Sequence, residues 1–355
     1  MQLYLTCMKR ITLIFILSCI TSQFVIAQTL RVDTFLQHEM KRRHITGLSV
    51  AVAQNGKIIF TKGYGLANVE TGTLAVPQTV YKIASVSKEF IAAAIMLLVQ
   101  DGKLKTDDPV GEYFDRLPES WHAMTIRQLL THTAGLPLDP PGFEPFKLVP
   151  DSVIVRNACK TPLLFAPGER FSYSNTDYFV LAELIRRVSG MSWESFLEKR
   201  VFRPLQMNST QITTTSAIIL NRASGYVHKG DTLENAENWI AVRPSGAFLS
   251  TVLDMTKWDQ ALYTNSPLTA ASKMAMWEPA RFNNGSTLPY GFGWGLSPWM
   301  GHRRVFHDGG LPGFSTDFER FIDDKLMIVV LSNDENANAS GIALKIAAFF
   351  LKTKS

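Results

Sequence analysis

The chain has 355 residues, 46% of them hydrophobic, and its 36 Lys and Arg against 31 Asp and Glu give a formal net charge of +5. So small and scattered a charge argues against a nucleic-acid partner, which would need a concentrated basic face. The length, the apolar fraction and the lack of low-complexity tracts predict a compact globule of enzyme size.

The chain opens with the pattern of a secretory signal peptide. Lys9 and Arg10 precede the apolar stretch Ile11–Ile20, and the pattern closes with a small-residue end at Val25-Ile26-Ala27. This pattern predicts cleavage before Gln28, so that residues 1–27 are a signal peptide and the mature protein is secreted or periplasmic in a bacterium. Ten apolar residues are short for a membrane span, so contact with the membrane is expected only transiently, during export.

The cysteines leave one alternative open. Of the three in the chain, only Cys159 lies beyond residue 27, so the mature protein is predicted to fold without an internal disulfide. Cys19 lies within the apolar stretch and could be lipidated instead, but a lipoprotein would then keep an apolar extension up to Ala27. We therefore expect the ordinary signal peptide, with the type of signal peptidase undecided.

The first elements are predicted near the mature N-terminus. A helical pattern covers residues 30–43, and the alternating segments Leu48–Gln54 and Lys57–Gly63 flank Asn55-Gly56. A strand, Asn-Gly and a second strand are the strongest short-range signal for a β-hairpin. From about residue 106 to 290 the pattern is helical, with Pro and Gly breaks.

A second hairpin is predicted near the C-terminus. Phe314–Ile322 and Leu326–Leu331 are separated by a polar turn, and a closing helix, Ile342–Lys352, follows. An antiparallel sheet assembled from both ends of the chain predicts an α+β fold with an inserted, mainly helical part. The predicted division places the α/β part at about 28–105 and 290–355, and the helical part at about 106–289.

The candidate nucleophile is Ser85. Ser85 and Lys88 form the only Ser-x-x-Lys in the chain, and Lys88 leads into the apolar run Phe90–Val99. A helix brings residues three apart onto one face, and the free N–H groups and dipole of its first turn favour an alkoxide. The spacing alone arises by chance in chains of this length, but a Lys that opens a helix apolar all round is less ordinary, because a buried amine needs partners.

Serine acylation also needs groups that move protons and stabilise an oxyanion. Tyr173 and Asn175 form a Tyr-x-Asn between the turn at Pro167-Gly168 and a helical pattern. The same spacing recurs at Tyr263-Thr264-Asn265, which ends an amphipathic segment and is better explained as a helix terminus.

The third candidate element is His307-Asp308-Gly309-Gly310, which follows a strand-like segment just before the C-terminal hairpin. A second His-x-Gly, His228-Lys229-Gly230, precedes a polar stretch and is interpreted as a surface turn. The order of the three elements along the chain favours His307.

Taken together, these elements resemble the serine hydrolases that include class C β-lactamases, D-alanyl-D-alanine carboxypeptidases, D-aminopeptidases and related esterases. The resemblance covers nearly all of the mature chain. It includes four further segments: Leu129–Leu136, Pro167–Asn175, Pro244–Thr251 and Tyr290–Gly295. It implies the penicillin-recognising fold, an antiparallel sheet flanked by helices with a helical domain beside it.

The resemblance also implies roles for the motif residues. Ser85 would be acylated, Lys88 would help to deprotonate it, and Tyr173 would act as base and then as acid. Asn175 would bind the substrate amide and hold Lys88.

For the third motif, the resemblance implies oxyanion donors at the backbone N–H groups of Ser85 and Gly310. Gly309 would let the substrate approach the strand, along which an extended ligand could lie by β-augmentation.

The third motif departs from the β-lactamase pattern, which has Lys-Thr-Gly where this chain has His307-Asp308-Gly309. A permanent ammonium is replaced by an imidazole whose ordinary pKa is ~6.5, so an acid limb near pH ~6 to 7 is expected from His307. The loss of the ammonium counts against efficient hydrolysis of anionic β-lactams.

The expected function is an exported serine hydrolase that cleaves an amide or ester through an acyl-serine intermediate. Two alternatives stay open: a class C-like β-lactamase, and a slow-turnover protein that binds penicillin or cell-wall peptides. The expected partner is a small-molecule or peptide substrate, with the cell wall as one source. No cofactor is expected, and no metal, because the histidines lack metal-ligand spacing. His132, near a predicted helix end, is expected to bond nearby carbonyls.

Overall fold

The computed structural model describes residues 28–214 and 216–354. The predicted signal peptide and Cys19 lie outside the described residues. Within the described ranges, no helix has the length and apolar character that a membrane span requires.

The largest element is a six-stranded antiparallel sheet with strand order β11-β12-β13-β1-β2-β3. Its strands are β1 (Gly47–Gln54), β2 (Lys57–Asn68), β3 (Thr73–Leu74), β11 (Arg304–Leu311), β12 (Phe314–Phe321) and β13 (Leu326–Ser332). The sheet is thus built from both ends of the chain, which confirms the α+β prediction. The proposed division near residues 105 and 290 stays a prediction.

Both predicted hairpins are present. β1 and β2 are joined by Asn55 and Gly56, with φ angles of 52° and 72°, the left-handed pair that a two-residue hairpin turn requires. β12 and β13 form the second hairpin.

The large sheet is buried on both faces because alternate residues of its central strands enter two different cores. In β13, Val329 packs in the core that contains the long buried helix, and its neighbour Val330 packs in the core formed with the terminal helices. This explains why β13 is apolar at nearly every position instead of alternating with polar residues.

The helices are α1 (residues 28–42), α2 (Lys88–Gln100), α3 (Glu119–His122), α4 (Ile126–Leu130), α5 (Asp151–Ala158), α6 (Asn175–Ser189), α7 (Trp193–Leu197), α8 (Arg243–Gly246), α9 (Val252–Leu262), α10 (Ala270–Met276) and α11 (Ala339–Phe350). The closing helix therefore begins three residues before the predicted start. In α2, every residue from Lys88 to Leu98 is buried, as expected for a helix that is apolar all round.

The middle of the chain is not as uniformly helical as its pattern predicts. It contains the short strands β5 (Gln211–Ile212), β6 (Tyr226–Lys229), β7 (Thr232–Asn235), β8 (Phe248–Ser250), β9 (Ala280–Arg281) and β10 (Thr287–Leu288), and β4 (Tyr81–Lys82) pairs with β8. Two to four residues are too few to show an alternating pattern, so the sequence does not reveal these strands.

Candidate active site

Ser85 lies in a 3₁₀ turn, Ala84–Ser87, immediately before α2. It is the only residue from Tyr81 to Leu98 that is not buried, so its side chain faces a cleft from an otherwise closed core segment. Ala84 has a φ of 48°, which a residue with a side chain seldom adopts. The turn that presents Ser85 is therefore held in place by its surroundings.

Lys88, the first residue of α2, is completely buried, and its ammonium has three hydrogen-bond acceptors. Nζ donates to Ser85 Oγ at 3.2 Å, to Asn175 Oδ1 at 3.0 Å and to the backbone oxygen of Ser245 at 2.8 Å. Burial lowers the pKa of Lys88 to about 7, although nearby carboxylates, Asp139 foremost, oppose the shift. The amine is therefore poised to accept a proton near neutral pH.

Tyr173 lies against this amine, with Lys88 Nζ 4.6 Å from the centre of its ring. Its hydroxyl is buried and has no hydrogen-bond partner among the described residues. Burial raises the pKa of Tyr173. Tyr173 is thus a neutral phenol, able to donate a proton.

Asn175 connects the lysine to a carboxylate that the sequence analysis missed. It is the first residue of α6, which Ser174 caps by accepting a hydrogen bond from the backbone N–H of Asp177. Its Oδ1 accepts from Lys88, and its Nδ2 donates to Asp139 Oδ1 at 3.1 Å. Asp139 therefore orients the amide that holds the amine. No sequence signal identifies Asp139, because its loop shows no periodicity.

The prediction that His132 bonds carbonyl groups is wrong. Its ring is buried, and the ring centre lies 4.4 Å from that of Tyr173. Nδ1 lies 3.1 Å from Asp177 Oδ2 and 3.2 Å from the backbone nitrogen of Ser174. Burial lowers the pKa of His132 and raises that of Asp177, so the two form a neutral pair behind the tyrosine. The helix α4 ends at Leu130, before His132, which removes the expected carbonyl partners.

His307 is held in one tautomer. Its Nδ1 lies 2.6 Å from the backbone oxygen of Asp308, which can only accept, so Nδ1 carries the proton. Nε2 therefore accepts from the Tyr290 hydroxyl at 3.0 Å. Burial and the nearby Lys88 lower the pKa of His307 to about 4, so the ring is neutral. This removes the physical basis for expecting an acid limb at pH 6 to 7 from His307.

Tyr290 is a site residue to which the sequence analysis gave no catalytic role, although it begins one of the segments that carry the resemblance. The ring centres of His307 and Tyr173 are 6.2 Å apart, and no hydrogen bond joins these two side chains. His307 therefore lies beside Tyr173 without bonding it.

The glycines of β11 bring this edge strand against the serine turn. A Cβ on Gly309 would lie 2.8 Å from the Cβ of Ala84 and 2.8 Å from the backbone oxygen of Ile83. On Gly310 it would meet nothing within 4 Å. Only glycine allows the close approach at position 309, and position 310 opens to the cleft. The oxyanion role of the Ser85 and Gly310 N–H groups stays a prediction.

The two competing motifs lie elsewhere. His228 is in the β6–β7 hairpin, where Nε2 lies 3.1 Å from Asp334 Oδ2, and Gly230 is in the turn of that hairpin. Tyr263 follows α9, as predicted from its pattern. Among the described residues, no group of three or more His, Cys, Asp and Glu side chains is placed to hold a metal ion.

Comparison with known proteins agrees with the geometry. The chain is 34% identical over 317 residues to penicillin-binding protein 4* of Bacillus subtilis, covering 82% of this chain and 69% of the relative. It is 29% identical to protein flp of Staphylococcus aureus (strain MW2) over 85% of this chain and 62% of the relative. The chain thus spans about two thirds of the length of these relatives.

Solved structures extend the comparison. The octameric penicillin-binding protein homologue from Pyrococcus abyssi is 27% identical, with a TM-score of 0.80, and the match covers 90% of this chain and 76% of that one. D-amino acid amidase from Ochrobactrum anthropi has the same fold, with a TM-score of 0.80 at 24% identity over 91% of this chain and 98% of that one. Residues 32–351 match the Beta-lactamase family model, and the chain therefore belongs to this family of serine hydrolases.

Proposed function

We propose that the protein is a serine hydrolase that cleaves an amide or ester through an acyl-Ser85 intermediate. The observation that carries the proposal is the contact of Lys88 Nζ with Ser85 Oγ, at 3.2 Å, in a buried site where the pKa of the amine falls to about 7. A nucleophilic hydroxyl within hydrogen-bond reach of a base, itself oriented by further groups, is the arrangement that covalent catalysis requires.

In the acylation step, Ser85 Oγ attacks the substrate carbonyl carbon as its proton passes to the neutral amine of Lys88. The C–N or C–O bond then breaks, and Tyr173 protonates the leaving amine or alcohol while Lys88 returns its proton to Tyr173. In the second step, water gives up a proton through the same two groups, attacks the acyl carbon and releases Ser85 and a carboxylic acid. The neutral phenol favours Lys88 over Tyr173 as the first base.

The charges near the leaving-group side favour a substrate without a carboxylate there. His307 is neutral, and the exposed Asp308 next to it is close enough to act electrostatically on Lys88 and Tyr173. An anionic leaving part, as in penicillins and cephalosporins, would be repelled by Asp308 and would find no ammonium at position 307. We therefore infer amides or esters whose leaving group carries no carboxylate as the substrate class, reached after export on the signal peptide.

Covalent labelling and a substrate panel test this proposal. A fluorescent phosphonate should label Ser85, as located by peptide mapping, and a panel of D-amino acid amides, short D-peptides, short-chain esters and a chromogenic cephalosporin should show turnover of an amide or ester above that of the cephalosporin. Labelling of another serine would contradict the proposal. Stable labelling by penicillin without turnover of any compound would instead identify a binding protein, and fastest turnover of the cephalosporin a β-lactamase.

A further inference from the structure

Two basic side chains, Lys82 and Arg222, line a cavity of 260 Å³. Lys82 is in β4, three residues before Ser85, so their Cα atoms are at most about 11 Å apart. Arg222 pairs through its backbone with Val80, just before β4. The remaining wall includes Asn238 and the ring of Phe314.

Neither basic side chain has a carboxylate partner among the described residues. Lys82 is only 2% exposed, and Nζ donates to two neutral acceptors, Asn238 Oδ1 at 2.7 Å and the backbone oxygen of Trp239 at 2.8 Å. One of its three protons is left over. Arg222 is half-buried and forms no side-chain hydrogen bond or ion pair in the described part of the chain.

The two cations also repel each other. Burial and, to a smaller extent, the charge of Arg222 lower the pKa of Lys82 to about 8, which means that the two charges lie close enough to interact. Burial likewise lowers the pKa of Arg222. Two partly desolvated like charges without a counter-ion are unfavourable. An anion in the cavity would relieve this cost.

One carboxylate lies on the cavity wall without neutralising either cation. Glu237 is exposed, and its Oε2 accepts from the indole N–H of Trp239 at 2.9 Å. It forms no ion pair with Lys82 or Arg222 within the described residues. The cationic cavity, defined by Lys82, Arg222 and Asn238, therefore keeps a net positive charge.

The position of the cavity selects one side of the substrate. The leaving group must lie next to its proton donor, Tyr173, whose ring is near His307 at the middle of β11. The cavity lies near the C-terminal end of β11, because Phe314 of the cavity wall is paired with Leu311, the last residue of that strand. The acyl part of a substrate that follows β11 therefore points toward the cavity.

We propose that the cationic cavity binds an anionic group, a carboxylate or a phosphate, at the end of the acyl part of the substrate. The proposal rests on the proposed hydrolase function and deepens it. The cleft is then polarised, with Asp308 and a neutral His307 on the leaving-group side and Lys82 and Arg222 on the acyl side. Such an arrangement selects substrates that are anionic only at the acyl end.

The test uses p-nitrophenyl esters with acyl chains of increasing length that end in a carboxylate, a phosphonate or a neutral carboxamide. At the chain length that reaches the cavity, kcat/KM for one of the anionic esters should exceed that for the carboxamide by roughly 10- to 100-fold. The carboxylate and phosphonate series distinguish the two kinds of anion. The Arg222→Gln variant should bring the ratio close to one.

A matched control is Arg156→Gln, which removes an exposed guanidinium of α5. Arg156 does not line the cavity and forms no side-chain hydrogen bond among the described residues. This variant should keep the wild-type ratio. If Arg222→Gln does not fold, Asn238→Asp replaces it, since a carboxylate at this position would pair with Lys82 and also lower the ratio.

A ratio near one at every chain length, or an equal ratio in wild type and Arg222→Gln, would overturn the proposal. If no ester is hydrolysed, that result counts against the proposed function alone. The role of the cavity is then tested by ligand binding. Calorimetry with the Ser85→Ala variant should show tighter binding of the anionic ester than of the carboxamide, and equal affinities would refute the cavity's role.

Discussion

The chain contains two Tyr-x-Asn segments whose tyrosines have similar surroundings. Tyr173 and Tyr263 both have buried hydroxyls without a hydrogen-bond partner among the described residues. Each ring also contacts a cation, with Lys88 Nζ 4.6 Å from the ring of Tyr173 and Arg320 Cζ 4.7 Å from that of Tyr263. Burial and a neighbouring positive charge are therefore not enough to mark a catalytic tyrosine.

The two cations differ in whether they can exchange a proton. Arg320 is fully buried and donates from Nε to Asp259 Oδ1 at 2.6 Å, and a guanidinium does not deprotonate in proteins. Among the described residues, no carboxylate lies within hydrogen-bond distance of Lys88, and its pKa of about 7 lets it cycle between amine and ammonium beside Ser85. A tyrosine is suited to proton transfer when its cation can lose its proton.

The largest effect is expected from replacing Ser85, the nucleophile that Lys88 deprotonates. Ser85→Ala should lower kcat/KM by about a million-fold and abolish covalent labelling, because the acyl acceptor is gone. The exposed Ser286→Ala is the control and should retain wild-type rates. Steady-state kinetics and labelling of both variants check this. Persistent labelling of Ser85→Ala would place the nucleophile elsewhere.

Replacing Lys88 and replacing Arg320 should have different effects. Lys88→Met should lower kcat/KM by about 10³- to 10⁴-fold, because the proton acceptor is lost. Arg320→Met should instead lower the free energy of unfolding by about 3 to 5 kcal/mol, because it leaves the buried Asp259 unpaired. Kinetics and denaturant unfolding of both variants separate these effects. A comparable loss of activity in folded Arg320→Met would contradict the distinction.

The tyrosines themselves give the next largest difference. Tyr173→Phe should lower kcat/KM by about 10²- to 10³-fold, since the leaving group loses its proton donor, while Tyr263→Phe should change it less than tenfold. The substrate should be an amide, whose poor leaving group needs protonation. Equal losses in two folded variants would mean that context does not separate the two motifs.

The smallest expected effect is on the pH dependence of kcat/KM, which distinguishes Lys88 from His307 as the group that titrates. Because Lys88 must be neutral to accept a proton, kcat/KM should rise with pH through about 7 in the wild type. His307→Gln should lower the rate but retain this limb, since the pKa of His307 lies near 4 and the ring is already neutral. The test is to measure kcat/KM of the wild type and of His307→Gln from pH 5 to about 9. A limb that disappears in His307→Gln would assign the ionisation to His307.

Much of the fold and the first members of the site could be predicted because their signals are local. The hairpin at Asn55-Gly56 follows from two residues that tolerate a positive φ, and α2 follows from a continuous apolar run. The separation of Tyr173 from Tyr263 also came from local context, a loop before a helix against a helix end.

The missed residues lack such signals because their partners are distant in the chain. Asp139 lies 36 positions from Asn175, the amide that links it to Lys88, and Tyr290 bonds His307 across 17 positions. His132 was misjudged because α4 ends two residues earlier and its backbone takes a positive φ of 58°, which turns the ring into the core. Neither periodicity nor spacing encodes these contacts.

The sequence by itself determined the family, the α+β class and the order of the motifs, since these depend on residue types and short-range patterns. Only the tertiary structure decided the protonation states and the polarity of the cleft. The pKa of Lys88 depends on how completely the surrounding chain removes it from water, and the charge of the cavity depends on Lys82 and Arg222 meeting without a carboxylate. Burial and charge proximity are properties of the packed molecule, and no single segment carries them.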